Sequence, residues 1–207
     1  MASKNDILII DYKMGNIGSV LNMLKKIGAN VKVSSDVSDL AKAKKLILPG
    51  VGAFDHGMNS LNELNLVDIL NKKVLIEKIP ILGICLGMQI LTLKSEEGTK
   101  NGLAWIEAET IKFDLKQNIR IPHMGWNTLI KIQNSDLFNG IDIHNNRFYF
   151  VHSYYVKCNN EKNIAAVTHY GEHFASSIRH ENIYGTQFHP EKSHKFGMKI
   201  LSNFLEI

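Results

Sequence analysis

Cys85 is the residue whose neighbours most favour nucleophilic chemistry. It lies in Gly83-Ile84-Cys85-Leu86-Gly87, after an apolar run at 81–84 and before a helical pattern starting at Leu86. A strand–turn–helix corner of this kind projects a nucleophile, with sulfur where many hydrolases carry a hydroxyl. The flanking glycines permit a tight turn and close approach of a substrate. A cysteine at a helix N-terminus feels the positive end of the dipole, which favours the thiolate. The next backbone N–H, on Leu86, is free of helical bonding and can stabilise an oxyanion. The bland reading of the same pentapeptide is a buried structural cysteine between two chance glycines.

A base and a group to orient it stand in Gln187-Phe188-His189-Pro190-Glu191. Proline blocks a helix, so His189 and Glu191 are expected in extended chain, pointing to the same side. A carboxylate so placed holds one imidazole nitrogen while the other takes a thiol proton. Alone, the segment reads more simply as an ion pair at a strand end. Beside the cysteine corner it completes nucleophile, base and orienter, which can be distant in sequence.

Two further segments could hold a substrate. Pro49-Gly50-Val51-Gly52-Ala53-Phe54 is a glycine-rich turn at the end of an apolar strand, where backbone N–H groups meet ligands. Gly52 is a candidate second oxyanion donor, although Pro-Gly pairs usually only mark turns. Val151-His152-Ser153-Tyr154 has strand spacing that could present polar groups to an ammonium and a carboxylate. By spacing alone it reads more simply as a half-buried strand.

Stepping outward, strands are expected at 6–11, 30–34, 45–48 and 81–84. A helix is expected to about Lys26, with Val20, Leu21, Leu24 and Ile27 on one face and Gly28 at its end. Two helical stretches fill 54–78. Purely apolar strands alternating with helices imply a parallel sheet covered on both faces. The second half is richer in strand, with segments near 108–113, 119–122, 127–132, 147–155, 164–168, 174–180 and 182–188, and a last helix over about 194–205. No repeat or linker interrupts the chain, so 1–207 is expected to be one domain.

Composition narrows the classes. The chain has 207 residues, 44% hydrophobic and 21% charged, the ordinary balance of a globular protein. No apolar run approaches the ~18 residues of a membrane span, and the N-terminus reads as a first strand, not a signal peptide. The +4 charge is scattered and does not form a nucleic-acid surface. With only two cysteines, a disulfide framework is not the organising principle and a reducing cytoplasm is expected. Cys158 lies among polar residues with no local base and reads as incidental. Nine histidines raise the question of a metal. His169 and His173 are four apart, and His189 is near His194, but no metal-ligand spacing supports a site.

With these residues in view, the chain resembles the class I (triad) glutamine amidotransferases from residue 6 to 205. The matching segments are Asp11-Tyr12-x-x-Gly15-Asn16, Leu48-Pro49-Gly50-Val51-Gly52-Ala53-Phe54, Gly83-Ile84-Cys85-Leu86-Gly87-Met88-Gln89, Pro122-His123-Met124-Gly125-Trp126-Asn127, Tyr149-Phe150-Val151-His152-Ser153-Tyr154 and Gln187-Phe188-His189-Pro190-Glu191-Lys192-Ser193. The second and fourth are narrower and point to the branch of glutaminase subunits of imidazole glycerol phosphate synthase. The resemblance implies an α/β, three-layer fold whose mostly parallel central sheet is flanked by helices. It implies catalysis by Cys85, His189 and Glu191 without a cofactor or metal. It further implies an oxyanion hole from Leu86 and Val51–Gly52, and glutamine held by Gly50, Gln89, His152, Ser153 and Tyr154. The partner would be a (β/α)₈-barrel cyclase receiving ammonia, with Asn16, Met124, Trp126, Tyr149 and Lys192 near the shared mouth. Trp126 and Tyr149 could instead simply pack, and Lys192 be solvated.

Two positions depart from the family pattern: Lys13 and Ala104 stand where glycines are usual. They leave open a second acceptor, an amino-sugar synthetase of surface-glycan assembly fed through a cyclase-like barrel. The Ser193-His194-Lys195-Phe196-Gly197 stretch is also closer to that group. Three rivals from other classes remain: a silent scaffold, a cysteine peptidase or small-molecule hydrolase on the same corner, and the metal site. The intact trio argues against the first. Modification of Cys85 by a glutamine-based affinity label would exclude the second.

Overall fold

In the computed structural model, which describes residues 6–114, 119–133 and 135–207, the N-terminal half alternates strand with helix. Strands β1 (Asp6–Ile10), β2 (Asn30–Ser34), β3 (Lys45–Gly50) and β4 (Ile81–Cys85) are connected through helices α1 (Ile17–Lys26), α2 (Val37–Lys42), α3 (Phe54–Glu63) and α4 (Val67–Asn71), with α5 (Leu86–Ile90) directly after β4. The C-terminal half supplies β5 (Ala108–Lys112), β6 (His123–Asn127), β7 (Lys131–Ile132), β8 (Phe148–His152), β9 (Tyr154–Cys158), β10 (Ile164–Tyr170), β11 (Glu172–His180), β12 (Ile183–Thr186) and α6 (His194–Glu206).

Strand polarity follows from what covers each face. Along β1, Ile7 and Ile9 pack with Val20, Leu24 and Phe204 of α1 and α6, whereas Leu8 and Ile10 pack with Leu40, Leu61 and Leu70 of α2–α4. With side chains alternating across the sheet, a strand covered on both faces must be apolar at every position. Each such side chain contributes ~1.5–3 kcal/mol on full burial. The layers are therefore helix, sheet, helix, as expected.

The order β2-β1-β3-β4-β12 is parallel throughout, and β11, β10 and β7 extend it antiparallel. Registers at the centre decide the site. Ile84 lies opposite Pro49 on one side and Thr186 on the other, and Cys85 opposite Gly50. The glycine-rich turn, the sulfur and the chain leading to His189 thus leave one sheet edge together, at the C-terminal ends of parallel strands. A separate ribbon of β6 and β8 stands beside that edge, pairing Met124 with Val151 and Trp126 with Tyr149.

Several expected elements differ. No strand forms over the described residues 119–122, where Pro122 cannot donate to a ladder. The expected strand at 127–132 is two pieces, because Asn146 takes over the backbone of Leu129. Its Oδ1 accepts from Leu129 N at 2.8 Å and its Nδ2 donates to Leu129 O at 3.2 Å. The expected strand at 147–155 breaks at Ser153 into β8 and β9. Helix α5 spans only five residues because a returning segment captures its last carbonyls. Leu103 N donates to Ile90 O at 2.8 Å and Trp105 N to Leu91 O at 3.0 Å. Finally, the chain after His189 is not fully extended: Pro190–Lys192 form a 3₁₀ turn. Proline is tolerated in a first helical turn, where its missing N–H would be unpaired anyway.

Candidate active site

The corner at Cys85 is tight enough to require its glycines. Cys85 itself has φ 54°, ψ −109°, a conformation that L-residues adopt only at a cost of order 1–3 kcal/mol. A Cβ on Gly83 would lie 2.7 Å from the carbonyl of Gly87, and one on Gly87 would run into the carbonyl of Leu48. Leu86 opens α5, where first-turn N–H groups lack intrahelical acceptors. Because that helix is a single short turn, these N–H groups, more than an extended dipole, furnish the positive potential at the sulfur.

His189 is held from three directions. Its N–H donates to Tyr149 O at 2.9 Å. Ser193 Oγ donates to His189 O at 2.6 Å while accepting from Tyr149 N at 3.0 Å. The ring Nδ1 meets Glu191 Oε1 at 2.7 Å, with both side chains almost fully buried. That bond puts the Nδ1 proton toward the carboxylate and leaves Nε2 for chemistry. Nε2 is buried and makes no formed hydrogen bond, yet the sulfur is near enough to act on the ring. Burial pushes the imidazole toward neutrality. The Cys85 sulfur first and Glu191 second more than offset it, leaving the pKa raised to about 10. Resting bonds of this kind are often long and shorten when substrate arrives.

The sulfur opens into a cleft of about 440 Å³. One wall is Val51, Gly52 and Ala53, and the opposite wall is Val151, His152, Ser153 and Tyr154. Gln89 and Glu97 also line it, and Glu97 is the sole carboxylate among the lining residues. Gly50, expected beside the substrate, sits behind this wall instead. It has no room for a side chain: a Cβ would be 2.9 Å from Leu86 Cβ and would meet the Tyr12 hydroxyl. A second cleft, of about 400 Å³, lies by Ile7, Asn30 and Lys32, far from any nucleophile, and its Lys32 and Asp39 are bonded to each other at 2.5 Å. Of these two clefts, Cys85 lines the first.

A strand-end cysteine, a carboxylate-backed histidine and a glycine-rich turn around one cleft are accompanied by a sequence match over residues 8–207 to the family described as glutamine amidotransferase class-I. The chain belongs to that family. Curated relatives cover nearly its whole length. "Imidazole glycerol phosphate synthase subunit HisH 2" of Methanococcus maripaludis is 56% identical, over 97% of this chain and 98% of that protein. A protein of the same printed name from Pseudomonas aeruginosa is 47% identical, over 97% and 99%. Among solved structures, one described as a glutamine amidotransferase superposes with a TM-score of 0.76 at 19% identity, covering 96% of this chain and 97% of that one, a likeness of fold.

Within this amidotransferase, several roles were not foreseen from sequence. Glu97 Oε2 accepts from Phe54 N at 2.9 Å, capping α3, while Asp55 accepts from Thr99 N at 3.0 Å and Lys100 N at 3.0 Å. These bonds tie the 97–100 loop to the start of α3, with Glu97 at the cleft, and the only sequence signal was an acidic pair beside a glycine. His123, the first residue of β6, backs the wall from within the ribbon, opposite His152. His152 Nδ1 faces the carbonyl of Tyr154 at 2.8 Å and must donate. Its Nε2 then accepts from His123 Nδ1 at 3.0 Å, and His123 Nε2 accepts from Asn127 Nδ2 at 3.2 Å. Burial keeps both rings neutral, lowering His123 to about 4 and His152, which also feels His123, to about 3.

The expected mouth residues divide. Met124 is 62% and Trp126 44% exposed, so Trp126 is not core. It stacks on His194 at 5.4 Å with Arg147 5.2 Å from its centroid, and Lys192 lies 5.5 Å from the Tyr149 ring. Asn16 is exposed but occupied, its Oδ1 accepting from Ser19 N at 3.3 Å to cap α1. Lys13 and Ala104 hold φ of 62° and 56°, so the backbone keeps the left-handed geometry that suits glycine although the residue has changed. Cys158 is partly buried with its thiol pKa pushed up to about 12 by burial, in keeping with an inert role. Among the described residues no group of three or more potential ligands could hold a metal, and no helix is long and apolar enough to cross a membrane. His169 and His173 face each other across the β10–β11 pair, with ring centroids 5.2 Å apart.

Proposed function

We propose that this chain is the glutaminase subunit of an imidazole glycerol phosphate synthase, hydrolysing glutamine and passing ammonia to a (β/α)₈-barrel cyclase in histidine biosynthesis. The observation that carries the reading is the strand register that sets Cys85 between the Gly50 turn and the His189–Glu191 segment. Membership of the family and full-length relatives named as subunits of that synthase support it.

The Cys85 sulfur attacks the side-chain amide carbon of glutamine. His189 Nε2 carries the thiol proton and delivers it to the departing nitrogen, which leaves as ammonia. Glu191 holds the ring in the required tautomer and stabilises the imidazolium. N–H groups of Leu86 and of Val51–Gly52 stabilise the tetrahedral oxyanion. Water then attacks the thioester with His189 as base, releasing glutamate and returning the electron pair to sulfur. Glu97 and the Ser153–Tyr154 wall hold the substrate's ammonium and carboxylate, and Gln89 holds the amide end. Met124, Trp126, Tyr149 and Lys192 form the docking mouth. Losing one oxyanion donor costs ~10²–10³ in rate, so a partner that sets the Val51–Gly52 peptide gates the reaction, and the isolated subunit is expected to turn over slowly. A reducing cytoplasm suits a mechanism that needs a free thiol.

One feature favours a second acceptor for the same ammonia: Lys13 and Ala104 put side chains on loops whose backbone keeps the geometry usual for glycine. The deciding experiment mixes the chain with each candidate barrel and follows ammonia transfer into each product. Cys85→Ala should abolish glutamine hydrolysis and leave partner binding intact. Residual glutaminase activity in that variant would remove the nucleophile assignment.

A further inference from the structure

We infer that Gln187 is a further catalytic residue: its side-chain amide donates a hydrogen bond to the Cys85 sulfur and stabilises it as a thiolate. The inference rests on Cys85 being the nucleophile. Gln187 is fully buried, two residues before His189, with Nε2 3.6 Å from Cys85 Sγ.

Which end of the amide faces the sulfur is fixed by a carbonyl three bonds away. Tyr154 O can only accept, so the Gln89 atom facing it at 3.1 Å is the nitrogen Nε2. The same Nε2 lies 3.1 Å from Gln187, so the Gln187 atom there must be the acceptor Oε1. Nε2 of Gln187 is then the end left for the sulfur. Tyr154 itself is fixed, since its carbonyl also takes the His152 Nδ1 proton and His152 is backed by His123 and Asn127. Asn127 is oriented in turn by donating to His169 O at 3.0 Å. Every amide and imidazole along this path has one allowed direction, and the path ends in an N–H on sulfur.

That donor differs in kind from His189. An amide N–H cannot give up its proton, so it remains a donor throughout the cycle. It favours the thiolate before attack. It is also present when the thioester carbon–sulfur bond breaks and the electron pair returns to sulfur. The thiol form has a weaker alternative, Val151 O at 3.9 Å. The titratable groups bearing on the sulfur are His189, backed by Glu191, and Tyr12 from the loop after β1, while His152 bears on His189. The His189 Nε2 and the Tyr12 hydroxyl are each without a formed hydrogen bond, so the donor seated on the sulfur is Gln187 Nε2.

The test is the pH profile of Cys85 alkylation by iodoacetamide, read at that residue by mass spectrometry in a Cys158→Ser background. Gln187→Met removes the donor at similar length. Gln187→Leu removes the donor with a different shape and likewise adds no charge beside the sulfur. A hydrogen bond to a charged group is worth roughly tenfold to a hundredfold, so the midpoint should rise by about one pH unit or more in both variants, with alkylation near neutrality falling at least tenfold. A packing role alone would lower the thermal midpoint and leave the profile of the folded protein in place. An unchanged alkylation midpoint in folded Gln187→Met overturns the inference, and if that variant fails to fold, an unchanged midpoint in Gln187→Leu overturns it. Alkylation reads the sulfur whether or not glutamine is the substrate, so failure here is distinct from failure of a glutamine-based affinity label to modify Cys85.

Discussion

Tyr12 shows how closely the corner is built. Its ring is fully buried and its hydroxyl, lying against Gly50, has no hydrogen-bond partner. Burial first and the Cys85 charge second raise its pKa. A buried unpaired hydroxyl costs ~1–3 kcal/mol. Tyr12→Phe should therefore raise stability by ~1 kcal/mol, a thermal midpoint ~2–4 °C higher for a chain of this size. A lowered midpoint would show that the hydroxyl is paired in solution. Charge at the site also sets a pH window. His189 has a raised pKa, so its contribution is full below the unfolded value near 6.5 and is lost as pH rises through about 10. His123 and His152 have lowered values, about 4 and about 3, so their contribution is full above 6.5 and is lost on acidification. Stability, followed as the urea midpoint, should peak near pH 6.5 and fall on both sides. In Cys85→Ala the alkaline limb should flatten, because the largest influence raising His189 is gone. An alkaline limb unchanged in that variant would assign the effect elsewhere.

Elements explain why some of this was legible and some was not. The corner at Cys85 and the glycine-rich turn after β3 carry local signals, an apolar run followed by glycines whose Cβ positions are blocked, and their strands fall within two residues of expectation. The Leu129 region misled because its backbone is satisfied by a side chain 17 residues away, Asn146, which no window around 127–132 contains. Glu97 and Gln187 escaped for the same reason: one acts through a loop folded back onto α3, the other through an amide whose direction is set by Tyr154. The Asn146 case can be checked directly. Its amide bonds Leu129 N and O and the carbonyls of Asp142 and Ile143. Asn146→Ala strands a buried N–H and carbonyl and should cost ~2–4 kcal/mol in urea unfolding. A loss under ~1 kcal/mol would mean that water replaces the amide.

At the scale of the whole molecule, the β6–β8 ribbon couples the cleft to the outside. Val151 and His152 at the end of β8 line the cleft, and Val151 shares the outer face of the ribbon with the exposed Met124 and Trp126. The ring of Trp126, stacked on His194 and with the Arg147 guanidinium 5.2 Å from its centroid, is a rigid aromatic beside a cation, the kind of anchor that a partner's pocket and carboxylates can seat. Because the ribbon is not in the central sheet, its edge can be truncated without disturbing the β4–β12 register that sets the triad. Trp126→Ala is thus expected to weaken binding of the proposed cyclase partner at least ~30-fold, the loss of an anchor worth ~2 kcal/mol. The basal glutaminase rate of the isolated chain should stay within about twofold, since Trp126 touches neither sulfur nor imidazole. Titration calorimetry with the barrel subunit, beside a glutamate assay on the lone chain, separates the two effects. Partner affinity unchanged by the substitution would move the docking face away from this ribbon, and a collapse of basal activity would mean that the Trp126 ring is needed to keep Tyr149, and through it His189, in place.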